Sequence, residues 1–323
     1  MTIALVAMLL MLAGASLLTG PTRLDSADFI NGIVGSGDPI FRAILLELRL
    51  PRALLALLVG GILGLAGAVL QGYLRNPLAD PSILGTSNAA ALGAVIALYF
   101  GFAQAHPLAL PAFAIAGAVI GLLPLLLLAG RSESALSLIL AGVAVGTLAG
   151  AGISLALNLA PNPFAAVEIM SWLMGSLEDR SFQHVWLALP CITVGAALLL
   201  WDGRALDALT LGEDAARTLG VDLRAVRFRI LLGVAIGIGG AVAVSGAIGF
   251  VGLIVPHLLR PLSDRSPSSI LLPSAVGGAV LLSAADITVR LIPADTELRL
   301  GVLTAMLGVP VFLYHLVRER RLW

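Results

Sequence analysis

The chain has 323 residues, of which 59% are hydrophobic and 12% charged, and its mean hydropathy is +1.03. That apolar share exceeds the roughly 45–50% of a soluble globular domain and excludes one. All positive charge sits on 19 arginines, balanced by 19 acids, so net charge names no partner; the absence of lysine excludes a P-loop, whose phosphates need that side chain.

A helix needs about 20 apolar residues to cross about 30 Å of hydrocarbon. Uncharged runs predict spans over 3–20, 53–74, 82–101, 108–130 and 134–159, then over 184–202, 227–249, 252–263, 269–291 and 300–318. The first run has the length of a signal peptide but no basic n-region, and is read as an uncleaved span. The eighth is short and is cut from the continuous run Ile230–Leu259, so nine spans is the competing count. Cys191, the single cysteine, lies in an apolar run and excludes an internal disulfide.

Arginine is retained in cytoplasmic loops, which orients the chain. With ten spans and an inside N-terminus, 12 arginines, Arg75, Arg204, Arg217 and Arg260 among them, fall inside. The other 7, including Arg49, Arg52, Arg180, Arg290 and Arg299, fall outside. Both termini are therefore expected in the cytoplasm.

The first motif in chain order is ELRLPRALL, which puts Arg49 and Arg52 three residues apart at an expected helix start, with Pro51 in its first turn. The helix dipole disfavours positive charge there, so these arginines are either interfacial snorkellers or receivers of an acidic partner. RNPLADP (75–81) follows. Proline pushes Asn76 and Asp80 out of the helical region, so the span must end in an irregular turn. The turn is either a plain loop or a constriction lined by Asn76 and Leu78, with Arg75 and Asp80 anchoring it.

The longest charged stretch is 201–229, and within it LGEDAARTLG reads as a short helix between Gly212 and Gly220 carrying Glu213, Asp214 and Arg217. A solvated loop and a docking helix for a cytoplasmic subunit are both open. In GFVGLIVPHLLRPLSDR, Pro256 interrupts an apolar run, and His257 with the other three histidines offers no metal-ligand spacing. Asp286 and Arg290 are four apart and can pair, which lowers the cost of burying both. Small residues four apart at Gly60/Gly64, Gly142/Gly146/Gly150 and Gly233/Gly237 predict close helix crossings. Residues 52–81 and 229–266 echo each other weakly and end in RNPLAD and RPLSD, which suggests an inverted repeat of halves near 50–160 and 227–318 within one transmembrane domain.

These motifs resemble, along nearly the whole chain, the FecCD or BtuC type of permease subunit in ABC importers for vitamin B12, iron-siderophores and haem. The matching stretches include LRLPRALL, GLAGAVLQGYLRNPLADPSILGTSNAAALGA, LILAGVAVG, SWLMGSL, LGEDAARTLGV, SGAIGFVGLIVPHLLR, LLSAADITVR and LGVLTAMLGVPVF. The resemblance implies an all-α bundle of ten helices, a homodimer in the bacterial inner membrane, two cytoplasmic ATPase subunits that bind ATP and magnesium, and a periplasmic binding protein. No cofactor, metal, nucleic acid or covalent chemistry is implied for this chain.

Carried onto matching positions, it implies that Arg49, Arg52 and Arg290 receive acidic residues of the binding protein. Asn76 and Leu78, with Ser134 and Ser137, would form the cytoplasmic gate. Gly212, Glu213, Ala216, Arg217 and Gly220 would couple to the ATPase, and NPFAAVEIMSWLMGSL would line the path and its outer mouth. Haem or a ferric siderophore is the expected cargo, with cobalamin as the alternative; an ion-driven carrier is disfavoured because the acids sit in loops or near span ends. Two departures stand out: Glu297-Leu298-Arg299-Leu300-Gly301 where the family commonly has ELPVG, and Ser263-Asp264-Arg265-Ser266-Pro267 where many members have an Asp-His-Arg loop.

Overall fold

The computed structural model describes residues 1–20, 39–129, 135–264, 266–292 and 298–319, and its regular structure among them is entirely helical. Helix α1 (Thr2–Leu18) is followed by α2, which runs 35 residues (Pro39–Tyr73), and by α3 (Thr86–Tyr99). Next come α4 (Ala109–Ala129), α5 (Ala135–Asn158), the shorter α6 (Pro163–Leu173) and α7 (Phe182–Trp201). Two short helices, α8 (Gly203–Leu209) and α9 (Glu213–Thr218), lead to α10 (Leu223–Ser245). The chain closes with α11 (Val251–Leu259), α12 (Pro267–Leu291) and α13 (Leu300–Glu319).

Each predicted span coincides with one of these helices, and α2, α4, α5, α7, α10 and α12 are long and apolar enough to cross a membrane unaided. Three details differ from expectation. Helix α2 does not begin at Pro51: it is continuous from Pro39 through a π-helical stretch, Ile44–Arg49. Pro51 has no N–H to return to the carbonyl of Glu47, and the Leu50 N–H instead reaches back five residues to Leu45, so the backbone shifts register and continues. Second, the run Ile230–Leu259 breaks earlier than expected, between Gly246 (φ +69°) and Phe250 (φ +68°). Third, the NPFAAVEIM stretch forms a helix of its own, α6, capped by Asn162, whose side chain accepts from the Ala165 N–H.

Helices α2, α10 and α12 form the buried core, whereas α4, α5 and α7 leave most of their apolar surface exposed, for instance at Leu148 and Leu155. The core is dense because glycines let backbones touch. A Cβ on Gly60 would run into the carbonyl oxygen of Gly278, one on Gly64 into that of Ser274, and one on Gly67 into that of Gly252. Gly142 likewise meets Ile83 and Leu84, and Gly237 meets Ile62 and Gly195, whereas Gly150 faces open space. Between helices in lipid there is no hydrophobic drive, so close packing of this kind carries the association. The irregular backbone between α10 and α11 is kept away from lipid by protein: the Ser245 carbonyl accepts from the Ser176 N–H at 2.8 Å.

Overpacking at such a crossing costs about 1–3 kcal/mol. Gly67→Ala is therefore expected to lower the unfolding temperature of the purified protein in detergent, while Gly150→Ala leaves it unchanged. Equal transitions for the two variants would show that the α2–α11 crossing is looser than the structure has it.

Candidate functional site

Helix α2 carries polar groups at both ends, and each end organises a separate cluster. At its Arg52 end one carboxylate serves two cations. Asp286 on α12, 1% exposed, accepts from Arg52 Nε at 2.9 Å, and Arg290 Nη2 lies 2.8 Å from its other oxygen. Arg290 also donates to the Ser16 and Thr19 carbonyls, each at 2.9 Å, and to Ser16 Oγ at 2.6 Å. Arg49, 5% exposed, donates to the carbonyls of Leu17 and Leu18, both at 2.9 Å. These orphan carbonyls end α1, and placing guanidinium groups on them satisfies the helix C-terminus and its negative dipole together.

The expected Asp286–Arg290 pair is thus present, and Arg52, 234 residues distant in sequence, joins it. The helix-start argument for Arg49 and Arg52 does not hold, since both lie inside continuous α2 and are turned towards α1 and α12. Around them opens a cavity of about 380 Å³, lined also by Ile44, Leu48, Leu177, Glu178 and Arg180. Arg180 carried no role in the sequence reading; the available signal was the polar run SLEDR directly after the apolar SWLMG. The departure at Arg299 has an internal use: its guanidinium bonds Glu178 Oε2 at 2.9 Å and Ser171 Oγ at 2.7 Å, tying the start of α13 to α6 and to the loop before α7.

The opposite end of α2 holds RNPLADP. A Schellman pair closes the helix: the Asn76 N–H bonds the Gln71 carbonyl at 3.2 Å and the Arg75 N–H that of Gly72 at 3.3 Å. Arg75 therefore occupies the left-handed position usual for glycine, with φ +49°. The turn is held by Asn76 Oδ1, which accepts from the Leu78 N–H at 2.9 Å, and by Asp80 Oδ1, which accepts from the Ser82 N–H at 2.9 Å. Burial pushes the Asp80 carboxyl above its ordinary range, and the Ser82 bonds partly offset this.

The anchoring roles are thus Asn76 and Asp80. The Arg75 side chain makes no hydrogen bond or ion pair among the described residues, because its backbone, not its side chain, ends the helix. Leu78 is 37% exposed at the tip. Ser137 is half-buried in the first turn of α5, and Ser134 lies outside the described residues.

Beside this turn sits the α8–α9 bridge. Gly212 (φ +103°) enters α9, and Gly220 (φ +86°) leaves it through a second Schellman pair, Val221 N–H to Ala216 O at 3.0 Å and Gly220 N–H to Arg217 O at 2.9 Å. Ala216 is fully buried, while Arg217 pairs with Asp214 at 2.8 Å and Glu213 at 3.8 Å on the surface. Leu211 and Leu219, flanking the helix, are 70% and 65% exposed. The bridge is fixed to the bundle by a bidentate Arg229–Asp202 pair at 2.8 and 2.6 Å and by the Ser268 N–H on Asp207 at 2.9 Å. In the second departure, Asp264 accepts from the Ser266 N–H and from the Ser266 and Ser269 hydroxyls beside the start of α12.

Among the described residues no group of three or more His, Cys, Asp or Glu side chains could hold a metal. By class the fold is a close-packed helical bundle with six helices long and apolar enough to cross a membrane, and it carries a charged cluster towards each end of α2. The FecCD transport family matches residues 6–318, and the chain belongs to it. It is 41% identical over 295 residues to the ABC transporter permease protein YvrB of Bacillus subtilis (strain 168), covering 90% of this chain and 83% of that one. It is 43% identical over 275 residues to the vitamin B12 import system permease protein BtuC of Vibrio cholerae, covering 84% of this chain and 82% of that one. A solved metal-chelate type ABC transporter in an inward-facing conformation superimposes with a TM-score of 0.89 at 31% identity, covering 98% of each chain. The chain is accordingly the membrane permease of an ABC importer.

Removing one partner of a buried ion pair costs about 3–5 kcal/mol. Asp286→Ala is expected to lower the unfolding temperature markedly by removing the buried carboxylate that Arg52 and Arg290 share, and adding Arg52→Gln is expected to recover part of the loss. A wild-type transition in the single variant would show that the three charges are solvated rather than coupled.

Proposed function

We propose that this chain works as a homodimer in the bacterial inner membrane, both termini cytoplasmic, and moves a bulky metal chelate inward by alternating access. The carrying observation is family membership along 6–318 together with the two charged clusters joined by α2. ATP and magnesium are bound by two partner ATPase subunits, since a chain without lysine cannot build a P-loop. Among chelates, the likeness to vitamin B12 import permeases favours cobalamin; haem or a ferric siderophore is the alternative from the same cargo class.

In this reading the end of the bundle bearing Arg49 and Arg52 on α2 and Arg290 on α12 faces outward and receives acidic residues of a periplasmic binding protein. The cavity there supports it: guanidinium groups, held rigid by internal bonds, lie around an opening that an acidic side chain fits. Asn76 and Leu78, with Ser134 and Ser137, form the cytoplasmic gate. The exposed Leu78 on a turn fixed by two side-chain acceptors gives an apolar plug on a firm base.

Gly212, Glu213, Ala216, Arg217 and Gly220 make up the coupling element. Ala216 seats the helix on the bundle while Leu211 and Leu219 offer an apolar face to the ATPase. The chain performs no covalent chemistry of its own.

The decisive experiment is purification followed by uptake in vesicles. Co-purification with an ATPase and ATP-dependent import of cobalamin are expected; import of any chelate without ATP would overturn the reading. Glu213→Ala with Arg217→Ala is expected to leave ATP hydrolysis running while uptake falls, because both side chains are on the surface and the fold does not rest on them. Wild-type uptake in that double variant would remove the coupling role. Docking by charge also requires that binding-protein affinity fall with added salt, since the Debye length shrinks from about 10 Å at 0.1 M to about 3 Å at 1 M. Salt-independent affinity would remove the docking role.

A further inference from the structure

Of the four arginines around the cavity beside α1, three spend hydrogen bonds inside the chain. Arg49 holds the end of α1, Arg52 holds Asp286, and Arg290 holds both. Arg180 differs. Its Nε is enclosed with no partner, and the side chain makes no hydrogen bond or ion pair among the described residues.

The neighbouring acids do not neutralise it at contact distance. Glu178 is taken by Arg299 at 2.9 Å, and Asp179 is exposed. Asp179 itself is held at φ +54°, a conformation that costs a non-glycine residue about 1–3 kcal/mol and persists where the surroundings impose it. That strained residue sets the direction of the next side chain, and the next side chain is Arg180, on the cavity wall.

A guanidinium is always charged, and an enclosed donor left unbonded costs free energy that an incoming acceptor recovers. An opening of about 380 Å³ admits the end of a carboxylate side chain but not a bulky chelate, and the guanidinium groups around it supply the complementary charge. We infer that Arg180 is a further receiving group for an acidic side chain of the binding protein, joining Arg49, Arg52 and Arg290, whose internal bonds also shape the pocket. The inference rests on the docking reading above and adds a residue to it. Arg299 is then a positioning residue: by engaging Glu178 it keeps that carboxylate off Arg180.

The test uses the permease assembled with its ATPase subunits in lipid nanodiscs, titrated with its own binding protein. Arg180→Ala is expected to weaken docking about tenfold or more at low salt, as loss of a charge-assisted hydrogen bond does, with Arg180→Glu weaker still and Arg180→Lys between. Because Arg180 makes no internal bond, the unfolding temperature of Arg180→Ala is expected to match wild type. Arg299→Ala is expected to weaken docking less, and to lose that effect when Glu178→Gln is added.

Docking in Arg180→Ala that keeps both wild-type affinity and wild-type salt dependence would overturn the inference while leaving arginine docking intact. Loss of salt dependence in the wild type itself would instead bring down the docking reading. A lowered unfolding temperature in Arg180→Ala, or reduced uptake with unchanged docking, would also overturn the inference by giving Arg180 a structural or cargo-handling role.

Discussion

A single carboxylate, Asp286, fixes how the helices of one end of the bundle stand. It faces two guanidinium groups from two helices while almost excluded from solvent, and one of those groups, Arg290, holds the last carbonyls of α1 as well. Isolated charges near hydrocarbon are costly, and here that cost is offset by opposite charge at contact distance on both oxygens of Asp286. Among the described residues Arg52 and Arg290 share this one carboxylate, and through it and the α1 carbonyls the cluster binds α1, α2 and α12 together.

Rigidity along the bundle follows from the contact between α2 and α12. Gly60 and Gly64 on one helix meet Gly278 and Ser274 on the other with no room for a Cβ, and Gly67 meets Gly252 of α11 one turn further on. Packed interiors have low compressibility, so the Gly60–Gly67 stretch of α2 is held firmly against α12 and α11. On α11, Gly252 meets α2 near Gln71, whose amide donates to the Gly252 and Leu253 carbonyls at 3.3 and 3.2 Å and whose oxygen accepts from Arg260 at 2.9 Å. Arg260, the first residue of RPLSD, thus bonds α2 at Gln71, one turn before RNPLADP begins.

Much of this was legible in the sequence because hydrocarbon imposes a simple count: charge-free runs marked every span, and proline with asparagine and aspartate marked the irregular turn. What the sequence hid was backbone behaviour without a polar signature. Pro51 read as a helix start, yet a π-helical shift lets α2 run through it. The break at Gly246–Phe250 lies among apolar residues, and a phenylalanine at φ +68° leaves no trace in composition. The i,i+4 spacing of Asp286 and Arg290 exposed half of the buried cluster, while Arg52 joins it from a distant part of the chain and no local pattern records the contact.

The two sequence departures show how the fold absorbs local change. Arg299 adds a cation to a mouth already rich in arginine, which by itself would raise repulsion there. The structure cancels it locally with Glu178 and Ser171, so the added charge becomes a tie between α13 and α6. The Asp264 loop does likewise at the other end, where an exposed carboxylate accepts from Ser266 and Ser269 just before and within the first turn of α12, and those hydrogen bonds hold its pKa below the ordinary range. Both departures are taken up in internal bonds of this chain. The two ties lie at opposite ends of the bundle: one holds Glu178 on Arg299 near the Arg52 end, and the other holds Asp264 on Ser266 and Ser269 near the Arg75 end.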